Sequence, residues 1–148
     1  LTRRGPIRPS DVWAAIGEVT CETSFALFKD AKRIAQTRGA IRAICEQLLP
    51  RMSAPDPHEL TKALEARSYV EMVELCCLAY DVRQESRGEH FRADFPYRDD
   101  VQWLRWVVLR KGGNGEVTVS TPPVPFDRYP LRPEKRERIP SPFPIPRS

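Results

Sequence analysis

Much of what a self-sufficient catalyst of this size would display is missing from the sequence. Its four cysteines include no CxxC pair, and adjacent Cys76 and Cys77 would point about 100° apart on a helix. That spacing argues against a zinc-finger type of site and leaves buried thiols in a reducing compartment as the plain reading. No stretch approaches ~18 uninterrupted apolar residues, so neither an intact signal peptide nor a membrane span is visible. No GxGxxG loop follows a strand, which removes the usual cradle for a dinucleotide pyrophosphate. Ser86 lacks the GxSxG strand–turn–helix setting of a nucleophile. Methionine is absent from the first position, where Leu1 stands, so the chain reads as a fragment, a processed product or a separately made subunit.

What is present fits one globular domain: 148 residues, 41% of them hydrophobic, enough to fold around a core. The net charge of +4 is unevenly placed. Residues 1–10 carry +3 through Arg3, Arg4 and Arg8, residues 126–148 carry +3, and residues 11–125 are left at −2. A nucleic-acid binder concentrates positive charge on its folded face, whereas here it lies in the arms, so nucleic acid is not an expected partner. The pattern divides into a basic N-terminal arm over 1–9, a helical domain with a β-hairpin over 10–125, and a Pro-rich basic tail over 126–148.

Helical periodicity supplies the middle segment. Ser10 is a candidate cap for a short helix with Val12, Trp13, Ile16 and Val19 at helical spacing. Cys21 to Lys29 is ambiguous. A second helix is expected from about Asp30 to Leu49 on the stripe Ile34, Ile41, Ile44 and Leu48, with Pro50 at its end. The third has the clearest start: Asp56 as cap, Pro57 at the first helical position, Glu59 as in a capping box. From Met72 to Tyr80 only Glu74 is charged, so this end is expected to be the most buried part of the domain. Beyond residue 100, the runs Trp103–Arg110 and Glu116–Ser120 flank Asn114-Gly115 and read as a hairpin, stopped by Pro122 and Pro123. On a strand Trp103 and Trp106 would face opposite sides, one to the core and one to an interface. The expected class is therefore mainly α: a three-helix bundle-like domain, then a β-hairpin and an extended Pro-rich C-terminal tail. From Phe126 to Ser148 the six prolines and nine charged residues cannot build a core.

The densest information lies between Asp81 and Asp100, which hold four arginines (Arg83, Arg87, Arg92, Arg98), six acids (Asp81, Glu85, Glu89, Asp94, Asp99, Asp100) and His90, but no lysine. Arginine offers a planar fork that pairs bidentately with carboxylates, so its exclusive use suggests fixed geometry and an ion-pair network at a junction. The ordered run Arg83, Glu85, Ser86, Arg87, Gly88, His90, Arg92, Asp94, Phe95, Pro96, Arg98, Asp99, Asp100, followed by Trp103 and Leu104, resembles the C-terminal domain of the succinate dehydrogenase and fumarate reductase flavoprotein family. The resemblance extends over roughly Ser10 to Pro125, and Glu89 departs from it where the family usually has a small alanine.

That resemblance implies a parent enzyme that interconverts succinate and fumarate at FAD and passes electrons to an iron–sulfur subunit. Catalytic, cofactor-binding and metal-binding residues are not expected on this chain; FAD belongs to the parent enzyme and iron–sulfur clusters to the partner. The expected structural and interface residues are Arg83, Glu85, Ser86, Arg87, Gly88, His90, Arg92, Asp94, Arg98, Asp99, Asp100 and Trp103. Arg87-Gly88 is read as a helix C-terminus, and Asp99 and Asp100 as partners of Arg92 or Arg98, or as caps. His90, with Glu85, Glu89 and Asp94 close in sequence, could be cast as a general base, but the resemblance places the family's flavin-linking and substrate-binding histidines elsewhere. Expected partners are a flavin-binding domain or chain and the iron–sulfur subunit, with a membrane reached only indirectly through a complex. The expected location is cytoplasmic or peripheral at the inner face of the cell membrane. Two other readings stand beside this one: a domain of the adenylylsulfate reductase or L-aspartate oxidase type, and a non-enzymatic interaction module.

Overall fold

Helices carry most of the structure, which is mainly α. The computed structural model describes residues 5–21, 28–130 and 133–142. Arg3 and Arg4 of the basic arm, most of the ambiguous stretch after Cys21, and Arg132 and Arg147 of the tail lie outside the described residues. The chain divides into two compact units, one of residues 1–26 and 31–77, the other of residues 27–30 and 78–148.

In the first unit, α1 (Pro9–Thr20) begins at Pro9 with Arg8, not Ser10, as its cap. Proline's fixed φ and missing N–H suit the first helical position. Asp11 then reaches back to accept the Arg8 N–H at 3.0 Å, a bond that holds its carboxyl below the usual range. α2 (Ala31–Ala43) passes into a single π turn (Ile44–Leu48) and a 3-10 turn (Leu49–Arg51) that contains Pro50. α3 (Pro57–Val82) starts as its sequence indicates: the Glu59 N–H donates to Asp56 Oδ1 at 2.9 Å. The Glu59 carboxylate pairs with Lys62 at 2.9 Å instead of returning to the cap.

The core of this unit is built from Val12 and Ile16 of α1, Ile34 and Ile41 of α2, Ile44, Met52, and Ala63, Ala66, Val70 and Val73 of α3. Trp13 packs on Tyr69 with ring centroids 5.3 Å apart. Within α3 the expected burial of the whole Met72–Tyr80 stretch does not hold, because only every third or fourth residue is enclosed. Val73 and Cys77 are fully buried, whereas Met72 is 44% exposed. Leu64, also exposed, shares with Trp13, Tyr69 and Met72 an open groove of about 630 Å³.

The second unit contains the end of α3 and short strands. In chain order these are β1 (Phe28–Lys29), β2 (Phe91–Arg92), β3 (Tyr97–Asp99), β4 (Val108–Lys111), β5 (Val117–Ser120) and β6 (Arg138–Pro140). One helical turn, α4 (Asp100–Trp103), follows β3 directly. β1 pairs in parallel with β2, β3 antiparallel with β6, and β4 antiparallel with β5. The β4–β5 hairpin closes with Gly115 at φ +85°, a left-handed conformation that favours glycine, and Asn114 Oδ1 accepts the Glu116 N–H at 3.1 Å. Its first strand begins at Val108, later than the sequence suggests. Trp103 ends α4 and Trp106 lies between elements at 45% exposure, so neither stands on a strand.

Candidate functional site

The charged run starts where α3 stops. Arg83 closes the last turn, its N–H donating to the Ala79 carbonyl at 3.1 Å, and its guanidinium pairs with Glu85. The same group donates to the carbonyls of Trp103 and Arg105 and lies over the Trp103 ring, 5.4 Å from its centroid.

Glu85 is the centre of the arrangement and is fully buried. Its carboxylate accepts from four N–H groups: Arg83 Nη1, Arg87 Nε, Arg87 Nη2 and the Asp99 backbone. The Arg87 contacts are the bidentate fork, at 2.9 and 3.0 Å, and Arg87 Nη2 also reaches Asp100 Oδ1 at 2.7 Å. Burial alone would lower the Arg87 pKa; the hydrogen bonds to Glu85 and Asp100 outweigh it and raise it. The second Asp100 oxygen pairs with Arg98 at 3.1 Å. Asp99 caps α4, its Oδ1 accepting from the N–H groups of Val101 and Gln102 at 3.1 and 3.0 Å.

Arg92 anchors the other side and is 1% exposed. Its fork holds Asp94 through two contacts of 2.8 Å. Its remaining nitrogen donates to the carbonyls of Tyr80, Asp81 and Arg83, carbonyls that the end of a helix leaves without intrahelical donors. Arg92, not Arg87, is therefore the cation that closes α3. Arg87 and Gly88 instead open a tight turn to His90, with reciprocal backbone bonds of 2.8 and 3.0 Å between Arg87 and His90. Gly88 sits at φ +56° in the first central position, the geometry a type II′ turn requires. Glu89, the departure from the family pattern, is exposed at the second position.

Ser86 is 4% exposed and structural in its bonding: Oγ accepts the Arg92 N–H at 2.9 Å and donates to the Phe95 carbonyl at 2.9 Å. His90 Nε2 lies 3.0 Å from the Arg83 carbonyl, which can only accept, so this nitrogen carries the proton. Burial, together with the charges of Lys29, Arg83 and Arg92, lowers the His90 pKa to about 4, although the bond to Arg83 acts the other way. The ring is neutral at pH 7, engaged, and tilted against Tyr80 with ring centroids 5.5 Å apart. That is poor geometry for a general base.

Sequence reasoning missed Lys29, Arg105 and Arg138. Lys29 is 2% exposed, lies 4.7 Å from the Tyr80 ring centroid, and places its Nζ 3.4 Å from the Glu89 carbonyl. It falls in the stretch where no period could be read. Arg138 stacks on Tyr97 at 3.5 Å, and no local pattern forty residues downstream signals that contact. Among the described residues no group of three or more His, Cys, Asp or Glu could hold a metal ion, and no helix is long and apolar enough to cross a membrane. Gly112, Gly113 and Gly115 turn the antiparallel β4–β5 hairpin and do not lead a strand into a helix.

The described residues thus combine a mainly helical unit with a second unit in which an arginine–carboxylate network gathers around buried Glu85. Residues 18–138 match the family model described as the fumarate reductase flavoprotein C-terminal domain, and the chain belongs to that family. It is 27% identical over 133 residues to the fumarate reductase flavoprotein subunit of Mycobacterium tuberculosis, covering 86% of this chain and 22% of that protein. It is 28% identical over 111 residues to the succinate dehydrogenase flavoprotein subunit of Coxiella burnetii, covering 72% of this chain and 19% of the relative. Among solved structures, a point mutant of Escherichia coli quinol fumarate reductase FrdA shares the fold with a TM-score of 0.77 at 20% identity, over 91% of this chain and 24% of that one. The Mycobacterium smegmatis Sdh1 complex in its apo form gives a TM-score of 0.71 at 20% identity, over 86% and 22%. The chain thus spans about a fifth of the length of these curated relatives.

Proposed function

We propose that this chain is the C-terminal helical domain of an FAD-dependent oxidoreductase acting between succinate and fumarate. In this reading it packs on the flavin-bearing domain and helps dock the iron–sulfur subunit, with a membrane reached only through the complex. Its three longer helices serve as a bundle-like support, and the residues from Arg83 to Trp103 form the rigid surface that positions these partners. The observation that carries the proposal is Glu85, a fully buried carboxylate held by four donors from Arg83, Arg87 and Asp99. So many constraints on one carboxylate fix the relative positions of three segments, which is what transfer between bound groups requires.

The test is made on the native polypeptide that carries this sequence. Purified from its host, it is expected to bring FAD in near-stoichiometric amount, read from its visible spectrum, and to show fumarate- or succinate-dependent electron transfer with an artificial dye. Recovery of a flavin-free polypeptide without that activity would contradict the proposal.

A further inference from the structure

We propose that residues Glu137 to Ser141 form a strap that closes over Arg98 and opens ahead of the rest of its unit. The proposal does not depend on the flavoprotein reading.

The strap is an added strand. β6 lies on β3 with Tyr97 opposite Pro140, Arg98 opposite Ile139 and Asp99 opposite Arg138. At its two ends the Asp100 N–H donates to the Glu137 carbonyl at 2.8 Å and the Ser141 N–H to the Pro96 carbonyl at 3.0 Å. Arg138 reinforces it, 3.5 Å from the Tyr97 ring centroid and 3.9 Å from Asp99 Oδ2. The ladder is short, and Pro140 has no N–H to add to it. Beside it a cavity of about 240 Å³ is lined by Ser86, Arg87, Arg98, Ile139, Pro140 and Ser141, among others, so packing under the strap is incomplete.

One contact works against closure. Arg98 Nε is buried and has no hydrogen-bond acceptor among the described residues. The pairing of Arg98 Nη2 with Asp100 at 3.1 Å ties the guanidinium in place, so Nε cannot turn outward without leaving that carboxylate. The register places Ile139 beside the Arg98 stem, an apolar neighbour that cannot accept. A donor stripped of water without a partner shifts the equilibrium toward the open form by roughly tenfold or more. Lifting the strap returns water to Nε while leaving the bonds to Glu85 intact.

Amide hydrogen exchange on the 148-residue chain tests this. The Asp100 and Ser141 amides are expected to exchange through a local opening, well before the amides of Val70 and Val73 in α3. Arg98→Lys keeps a charge that can reach Asp100 and puts a methylene where Nε–H stands. It is expected to slow exchange at Asp100 and Ser141 by about tenfold. Arg138→Gln is expected to speed both by several-fold, with α3 unchanged in each variant. Exchange of the strap amides only with global unfolding would overturn the proposal, as would unchanged or faster exchange at Ser141 in Arg98→Lys, or no response to Arg138→Gln.

Discussion

At the scale of single residues, the arginines differ in role although the sequence presents them as equals. Arg83 and Arg87 share one carboxylate, Arg92 holds Asp94 and the end of α3, and Arg98 pairs with Asp100 at the edge. His90 offers the sharpest residue-level test. Its pKa lies near 4 in the folded chain against 6.5 ordinarily, because burial disfavours the imidazolium. Between those values the unfolded chain binds more protons than the folded one. The His90 contribution is therefore fully present above pH 6.5 and is lost as pH falls toward 4, by roughly 3 kcal/mol when complete. Urea titrations from pH 7 to 4 are expected to show a steeper loss for the native chain than for His90→Gln. Equal slopes would mean that His90 is not buried as described. In the proposed reading, the same substitution leaves hydride chemistry in the assembled enzyme largely intact; a fall of several orders of magnitude with normal assembly would restore a catalytic role.

At the scale of elements, Arg92 decides where α3 ends. Replacing it with methionine keeps an unbranched stem but takes the Arg92 donor from the carbonyls of Tyr80 and Asp81 at the helix end and of Arg83 just beyond it, and leaves Asp94 without its fork. The expected loss is about 3 kcal/mol, measured by denaturant unfolding, since the removed partner belongs to a buried ionic network. A loss under ~1 kcal/mol would place these contacts among weak surface pairs. The start of α3 was legible because Asp56-Pro57 is a local signal, and so was the hairpin, because Asn114-Gly115 prescribes its own turn. The end of α3 was not, since its closing cation arrives ten residues later by way of the Gly88 turn. Trp103 and Trp106 were misplaced for a related reason: Asp99 caps a helical turn there, and that local bond overrides the β-prone composition around it. Met72 looked like core by composition, yet the helix turns it to the open side of its unit. The network's membership could be read from composition, but its wiring could not, because pairing of Glu85 with Asp99 and of Arg87 with Asp100 depends on folding thirteen or fourteen residues back on themselves.

At the scale of the whole molecule, the chain belongs to the fumarate reductase flavoprotein C-terminal family through residues 18–138. About four-fifths of each curated relative lies beyond the matched region. In the proposed reading that remainder supplies the flavin and the substrate site, and this domain supplies the fixed surface. The central claim is tested most directly by Arg87→Lys in the native polypeptide, which keeps the charge and removes the fork to Glu85 together with the reach to Asp100. The measurement is the amount of FAD-carrying polypeptide that co-purifies with its electron-transfer partner, beside the domain's own unfolding free energy. The account expects stability to fall by about 2 kcal/mol and assembly to fall with it. Unchanged stability and undiminished assembly would contradict it.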